Sequence, residues 1–259
     1  MDNWELALLV SAMTAEMAIV ILMLRGRVFR TFPIFSFYLC WSLFSDAFLA
    51  YVRVDYANGV FFKIYQVQLV CDSAMIFALL VEVAWSVLRP IRNALPKYSW
   101  VGIAALLGIG SAILWPVAGL ASPRDLLPEG RTLFLLQQTP AILRAVFFLA
   151  LAGFSQVLSI GWRDRELQIA TGLGFYSIVS LAVTEFHIHQ VSGTKIYHSL
   201  DLIVSASYLA ALVYWVFALA SRPVERREFT PQMKSMLLAL AGTTRTARID
   251  LEDSVKSGK

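Results

Sequence analysis

The chain carries ionisable side chains inside long apolar stretches, and these side chains are the first candidates for chemistry. Six carboxylates occur there: Glu16, Asp46, Asp72, Glu82, Glu185 and Asp201. A lone carboxylate at the centre of a bilayer costs about 3 kcal/mol. Together they would exceed the total stability of a typical protein, about 5–15 kcal/mol. We therefore expect these groups to be paired, protonated, hydrated or bound to a cation.

Five polar residues are expected at one level near one end of their helices, from a rise of ~1.5 Å per residue. They are Asp46, Glu185, His189, His198 and Asp201. Histidine and carboxylate side chains suit zinc, so we predict a divalent metal such as zinc on His189, His198 and Asp201. Glu185 or Asp46 would be the catalytic general base that activates a water molecule. The predicted function is a metal-dependent, membrane-embedded hydrolase of a lipid-like substrate.

A second polar level is expected nearer the middle of the apolar stretches, and its cation is Arg144. Arginine does not deprotonate in proteins, so Arg144 needs a carboxylate at its own depth. We predict a buried charge pair of Arg144 with Asp72, and Glu16 is the second choice.

Other functions fit the same residues. The polar cluster could be a hydrogen-bonded structural network, or His189 and His198 could titrate near neutral pH in a ligand- or pH-responsive sensor. Such a sensor, or a subunit of a membrane complex, would act through a partner. A proton or ion carrier would use Asp46, Asp72, Glu82 and Arg144 as a relay. The three histidines would allow one bis-histidine haem at most, and we do not expect haem.

Helical spacing indicates which polar residues face the same side. In the last apolar stretch, one stripe joins His198, Asp201, Ser205, Tyr208, Leu212 and Trp215. Another stripe joins Tyr65, Gln68, Asp72, Met75, Leu79 and Glu82. Residues three and four apart lie on one face of a helix, so both stripes should point into the interior of the protein.

Composition favours a helical membrane protein. Of 259 residues, 58% are hydrophobic and only 15% are charged, and the mean hydropathy is +0.65, which excludes a soluble enzyme or a disordered chain. The predicted fold is an all-α, polytopic bundle of seven transmembrane helices. The predicted spans are 4–24, 32–52, 59–88, 98–120, 132–161, 167–190 and 195–220.

Lysine and arginine residues predict the orientation. Sixteen flank the spans on one side and four on the other, so the positive-inside rule places the N-terminus outside and the C-terminus in the cytoplasm. We predict a multi-pass protein of a cell membrane, either a plasma membrane or a bacterial inner membrane. The basic residues follow topology, and no nucleic-acid partner is expected.

The segment 221–259 is predicted to be a cytoplasmic tail. Thr230 and Pro231 suit the start of a helix, and Met233, Leu237 and Leu240 then recur at helical spacing. An amphipathic helix at about 230–247 would lie on the bilayer surface. It could also dock a membrane protein partner.

The number of spans resembles that of two groups of seven-helix proteins. Rhodopsins and receptors share the predicted orientation, but residues 199–220 contain no lysine, so no retinal is expected. Metal hydrolases of the alkaline ceramidase and adiponectin receptor type carry Ser-x-x-x-His and His-x-x-x-His motifs. This chain has Ser42-x-x-x-Asp46 and His198-x-x-Asp201 instead, so the resemblance covers the number of spans only.

Overall fold

The computed structural model describes residues 3–55, 58–88, 98–120, 128–153, 155, 164–188 and 195–221. In these ranges the chain forms seven α-helices and one short 3₁₀ turn, Val28–Arg30, and no strand. The helices are α1 Asn3–Arg25, α2 Pro33–Asp55, α3 Asn58–Val87, α4 Ser99–Leu120, α5 Pro128–Gly153, α6 Arg165–Ile188 and α7 Lys195–Ala220. The prediction of an all-α protein is confirmed for this part of the chain.

Six of these helices are long and apolar enough to cross a membrane. The exception is α2, whose apolar part is the shorter stretch Pro33–Leu49. A multi-pass helical membrane protein is therefore supported, whereas seven spans and the orientation stay predictions. The predicted fifth span runs to 161, but α5 ends at Gly153. The predicted tail helix at 230–247 lies outside the described residues.

Six helices form a closed ring. Each of the neighbouring pairs α1–α2, α2–α3, α3–α5, α5–α6, α6–α7 and α7–α1 is in contact. Helix α4 stands outside this ring and packs on α3 and α5. Its side chains are largely exposed, as at Leu106 (70%), Ile113 (62%) and Leu120 (87%). In a bilayer these side chains would contact acyl chains, which agrees with a scaffold position for α4.

The apolar core fills the half of the ring in which α1, α3, α5 and α7 end. It includes Ile19, Met23, Phe35, Leu79, Leu212 and Trp215, all 3% exposed or less. The rings of Phe35 and Trp215 meet edge-on at 5.3 Å. Leu79, Leu212 and Trp215 continue the two stripes that the sequence predicts to face inward. This end is called the capped end below, and the opposite end the cavity end.

Two charged side chains close helix termini at the capped end. The carboxylate of Glu82 on α3 accepts hydrogen bonds from the backbone N–H groups of Ile34 and Phe35, both at 2.8 Å. Arg165 on α6 donates to the backbone carbonyls of Ala218 at 2.6 Å and Ser221 at 3.0 Å. A helix leaves its first N–H and last C=O groups unpaired, and each charge also matches the local helix dipole.

Two glycines on α6 allow close helix packing. An added Cβ at Gly172 would overlap the indole ring of Trp215 on α7, and one at Gly174 would overlap Phe148 on α5. Both overlaps involve groups of the packed core, so neither neighbour has free space to move into. These two glycines therefore set the distances of α6 from α5 and α7.

We expect Gly172→Ala and Gly174→Ala to destabilise the folded protein by about 1–3 kcal/mol each, the usual cost of overpacking. The measurement is reversible unfolding in detergent micelles. The matched control is Gly102→Ala on α4, where an added Cβ meets nothing within 4 Å, so its stability should stay equal or rise. Equal effects at all three positions would contradict the packing described here.

Candidate functional site

A cavity of about 720 Å³ lies inside the ring at the cavity end. Its wall comes mainly from the first halves of α1, α3 and α7 and from the middle of α2, α5 and α6. The apolar wall includes Leu8, Leu9, Leu49, Phe61, Leu69 and Leu202. The polar wall includes Ser42, Asp46, Asp72, Gln137, Arg144 and Tyr208. Polar groups from separate helices thus converge on one space.

The floor of the cavity is closed by a hydrogen-bonded carboxylate. Glu16 on α1 is only 1% exposed, and its Oε1 accepts hydrogen bonds from Ser42 on α2 (3.0 Å) and from the hydroxyl of Tyr208 on α7. The Ser42 and Tyr208 hydroxyls are 3.2 Å apart. Because a buried carboxylate is costly without donors, this network holds three helices together. Within the described ranges, the second oxygen of Glu16 accepts no hydrogen bond.

Arg144 is the buried cation of the cavity. It lies on α5, is 8% exposed, and its guanidinium carbon stands 5.5 Å from the centre of the Tyr176 ring. In the described residues its Nε is buried without a hydrogen-bond partner, and no carboxylate there lies within ion-pair distance of it. An aromatic face compensates a cation only in part, so Arg144 is left with unused donors.

Asp72 on α3 lines the same cavity and is hydrogen-bonded by the indole N–H of Trp41 at 2.6 Å. Arg144 and Asp72 are close enough for their charges to attract, but they do not touch. Both residues line the cavity, but among the described residues they form no ion pair, so the predicted charge pair stays a prediction. Asp46 on α2 also lines the cavity, and it is close enough to Glu16 and Asp72 for electrostatic repulsion between the carboxylates.

A proline shapes the wall next to Arg144. Pro140 stands inside α5 and has no N–H group, so the carbonyl of Leu136 loses its usual helical partner. The single hydroxyl proton of Ser73 on α3 is shared between that carbonyl, at 3.1 Å, and the carbonyl of Leu69 on its own helix, at 2.8 Å. Leu136, Pro140 and Ser73 all line the cavity. The break in α5 is thus compensated from a neighbouring helix.

The predicted metal and catalytic residues are only partly brought together. His198, Asp201 and Asp46 line the cavity, whereas Glu185 is exposed and does not line it. His189 lies outside the described residues. Asp201 is 55% exposed, and its Oδ1 lies 3.6 Å from Nε2 of His187. In the described ranges no three His, Cys, Asp or Glu side chains form a metal-type group, so the predicted ligand set stays a proposal.

Two tyrosines of the wall, Tyr38 and Tyr176, were not expected from the sequence, whereas Tyr65 belongs to a stripe predicted to face inward. Tyr38, Tyr65 and Tyr176 line the cavity, and Tyr176 meets Tyr208 edge-on at 5.4 Å. From sequence alone, an aromatic residue in an apolar helix is usually assigned to the core or to the lipid-facing surface. Helical spacing was the available signal for the wall. Tyr65 lies on the same stripe as Asp72, and Tyr38 precedes Ser42 by one helical turn and therefore shares its face.

The chain was compared with known proteins. No protein-family model matches it, and searches of curated proteins and of solved structures found no match either. Its function is therefore inferred from the cavity.

Proposed function

We propose that this membrane protein binds a small organic ligand in the cavity and acts as a sensor or as a subunit of a membrane complex. The observation that carries the proposal is the cavity itself, about 720 Å³ between six helices. Ligand sites in proteins are concave, mostly apolar, and typically about 300–1,000 Å³, with a few convergent polar groups. The residues of this cavity fit that description.

The division of the bundle into two ends supports the same proposal. The capped end is filled by large apolar side chains and tied by Glu82 and Arg165. The cavity end keeps open space beside Arg144 and Asp72, where apolar side chains would be more stable. Sites for ligands commonly retain such locally unfavourable groups. A protein partner on the 230–247 segment stays a prediction.

The test is to fill the cavity with a larger side chain and to measure which small molecules stay bound to the purified protein. Ser205 on α7 is exposed and lines the cavity, so Ser205→Phe would occupy ligand space. We expect the wild-type protein, purified in mild detergent, to retain at least one small molecule detectable by mass spectrometry, and Ser205→Phe to lose it.

The matched control is Ile203→Phe, two residues earlier on the same helix. Ile203 is 50% exposed and does not line the cavity, so this variant should retain the molecule. An identical set of retained molecules in the wild-type and Ser205→Phe proteins would contradict ligand binding in the cavity.

A metal-dependent hydrolase is the second candidate function. It is favoured by His198, Asp201 and Asp46 lining one cavity, because these side-chain types hold zinc. A metal on His198 and Asp201, with His189 as a further ligand, would activate water at the mouth of the cavity. Asp46 would be the base, since Glu185 does not line the cavity.

Metal analysis distinguishes this candidate. The expected result for a hydrolase is about one zinc per purified chain in the wild type, as in a three-ligand catalytic site, and a large loss in His198→Ala. Glu185→Gln, outside the cavity, is the control and should keep the metal. A zinc content far below one that His198→Ala leaves unchanged would remove the metal candidate and leave the ligand proposal standing.

A further inference from the structure

Arg144 is a buried cation that faces open space instead of a carboxylate. It is 8% exposed, lines the cavity, and in the described residues makes neither a hydrogen bond nor an ion pair. Buried charges in proteins are normally paired, and an arginine cannot lose its charge. Its planar set of donors fits a carboxylate or phosphate group in two contacts. An anionic group of a ligand would supply the missing partner.

The carboxyl groups of the cavity call for a positively charged group on the ligand as well. Asp46 and Asp72 line the wall, and Glu16 lies directly behind it, bonded to the lining residues Ser42 and Tyr208. Among the described lining residues, Arg144 alone carries a permanent positive charge. Carboxyl groups at and behind the wall are thus in excess over cations, and a purely anionic ligand would leave them without a cationic partner. An ammonium group near Asp46 and Asp72 would reduce that excess.

The apolar wall indicates where the remainder of the ligand lies. Leu8 and Leu9 on α1, Leu49 on α2 and Leu202 on α7 line the cavity toward its end, where His198 and Asp201 also lie. A hydrocarbon chain gains about 0.8 kcal/mol for each buried methylene. The chemistry of the wall thus matches an amphiphile whose polar head enters first.

We propose that the cavity binds a zwitterionic amphiphile, with its anionic group on Arg144 and its ammonium group between Asp46 and Asp72. The inference rests on the proposed function, because it names the ligand class of that same cavity. It makes Arg144 the anion-binding residue and the two aspartates the ammonium-binding residues. The Trp41–Asp72 hydrogen bond holds the aspartate toward the ligand space.

The experiment measures equilibrium binding to the purified full-length chain in lipid nanodiscs. The probes share one acyl chain and differ in charge: lysophosphatidylethanolamine is the zwitterion, lysophosphatidate the anion, a long-chain alkylamine the cation and monoacylglycerol the neutral compound. We expect the zwitterion to bind at least about tenfold more tightly than each of the others, a difference of about 1.4 kcal/mol.

Charge variants assign the two halves of the head group. Arg144→Gln should weaken binding of the zwitterion about tenfold and should not weaken binding of the alkylamine, whose ammonium group Arg144 repels. Arg144→Lys should restore part of the lost affinity because it keeps the charge without the planar donors. In the double variant Asp46→Asn and Asp72→Asn, the affinity for the zwitterion should fall close to the affinity for lysophosphatidate. Lys63→Gln, which removes an exposed cation of α3 that does not line the cavity, is the control and should change neither affinity. Thermal unfolding of each variant establishes that it is folded.

The outcomes separate this inference from the proposed function. If all four probes bind equally and Ser205→Phe abolishes their binding, the inference of a zwitterionic ligand is wrong, but the proposal of a ligand-binding cavity stands. Tightest binding of the anion or the cation alone would also overturn the inference of a zwitterionic ligand. No binding that Ser205→Phe affects, with any probe, would contradict both. Glycerophosphoethanolamine, the same phosphodiester zwitterion without an acyl chain, tests the source of the ligand. If it binds as tightly as the lysolipid, the ligand is still a zwitterion but comes from water rather than from the bilayer.

Discussion

The buried carboxylate of Glu16 imposes the constraint on which the cavity end depends. In an apolar interior this group must have donors, and Ser42 from α2 and Tyr208 from α7 provide them. The three helices are thereby held at one depth and one rotation. That rotation also turns Asp46, His198 and Asp201, which share faces with Ser42 and Tyr208, toward the cavity. Replacing these polar contacts by apolar ones would remove this constraint at the cavity end and leave helix rotation to the packing of the capped end.

The two ends of the bundle differ in how their charged side chains are hydrogen-bonded. At the capped end, charges are fully engaged: Glu82 accepts two backbone N–H groups and Arg165 donates to the end of α7. This engagement leaves Glu82 with a structural role and gives no support to its predicted role in a proton relay. At the cavity end, Arg144 and Asp46 keep unused capacity for hydrogen bonds, so a ligand or a metal would act there.

Much of the fold could be predicted from the sequence, because apolar length and the spacing of polar residues are local properties. His198, Asp201, Ser205 and Tyr208 were predicted to share an inward face, and all four line the cavity. Depth along a helix was also informative, but it does not give rotation: Glu185 was expected beside His198, yet it points outward. The partners of Arg144 and Asp72 depend on how neighbouring helices are rotated and spaced, which glycines such as Gly172 determine through three-dimensional packing. The contact of Ser73 with the carbonyl freed by Pro140 is of the same kind.

The central claim is that polar side chains of separate helices converge on a cavity rather than on the lipid. Cysteine labelling in membrane vesicles with a water-soluble thiosulfonate tests it directly, after Cys40 and Cys71 are replaced. Two matched pairs lie at similar depths: Ser205→Cys against Ile203→Cys on α7, and Tyr65→Cys against Val67→Cys on α3. Ser205 and Tyr65 line the cavity, whereas Ile203 is 50% and Val67 65% exposed on the outer surface. The cavity predicts labelling of the first member of each pair and protection of the second by lipid. Equal labelling, or the reverse order, would contradict it.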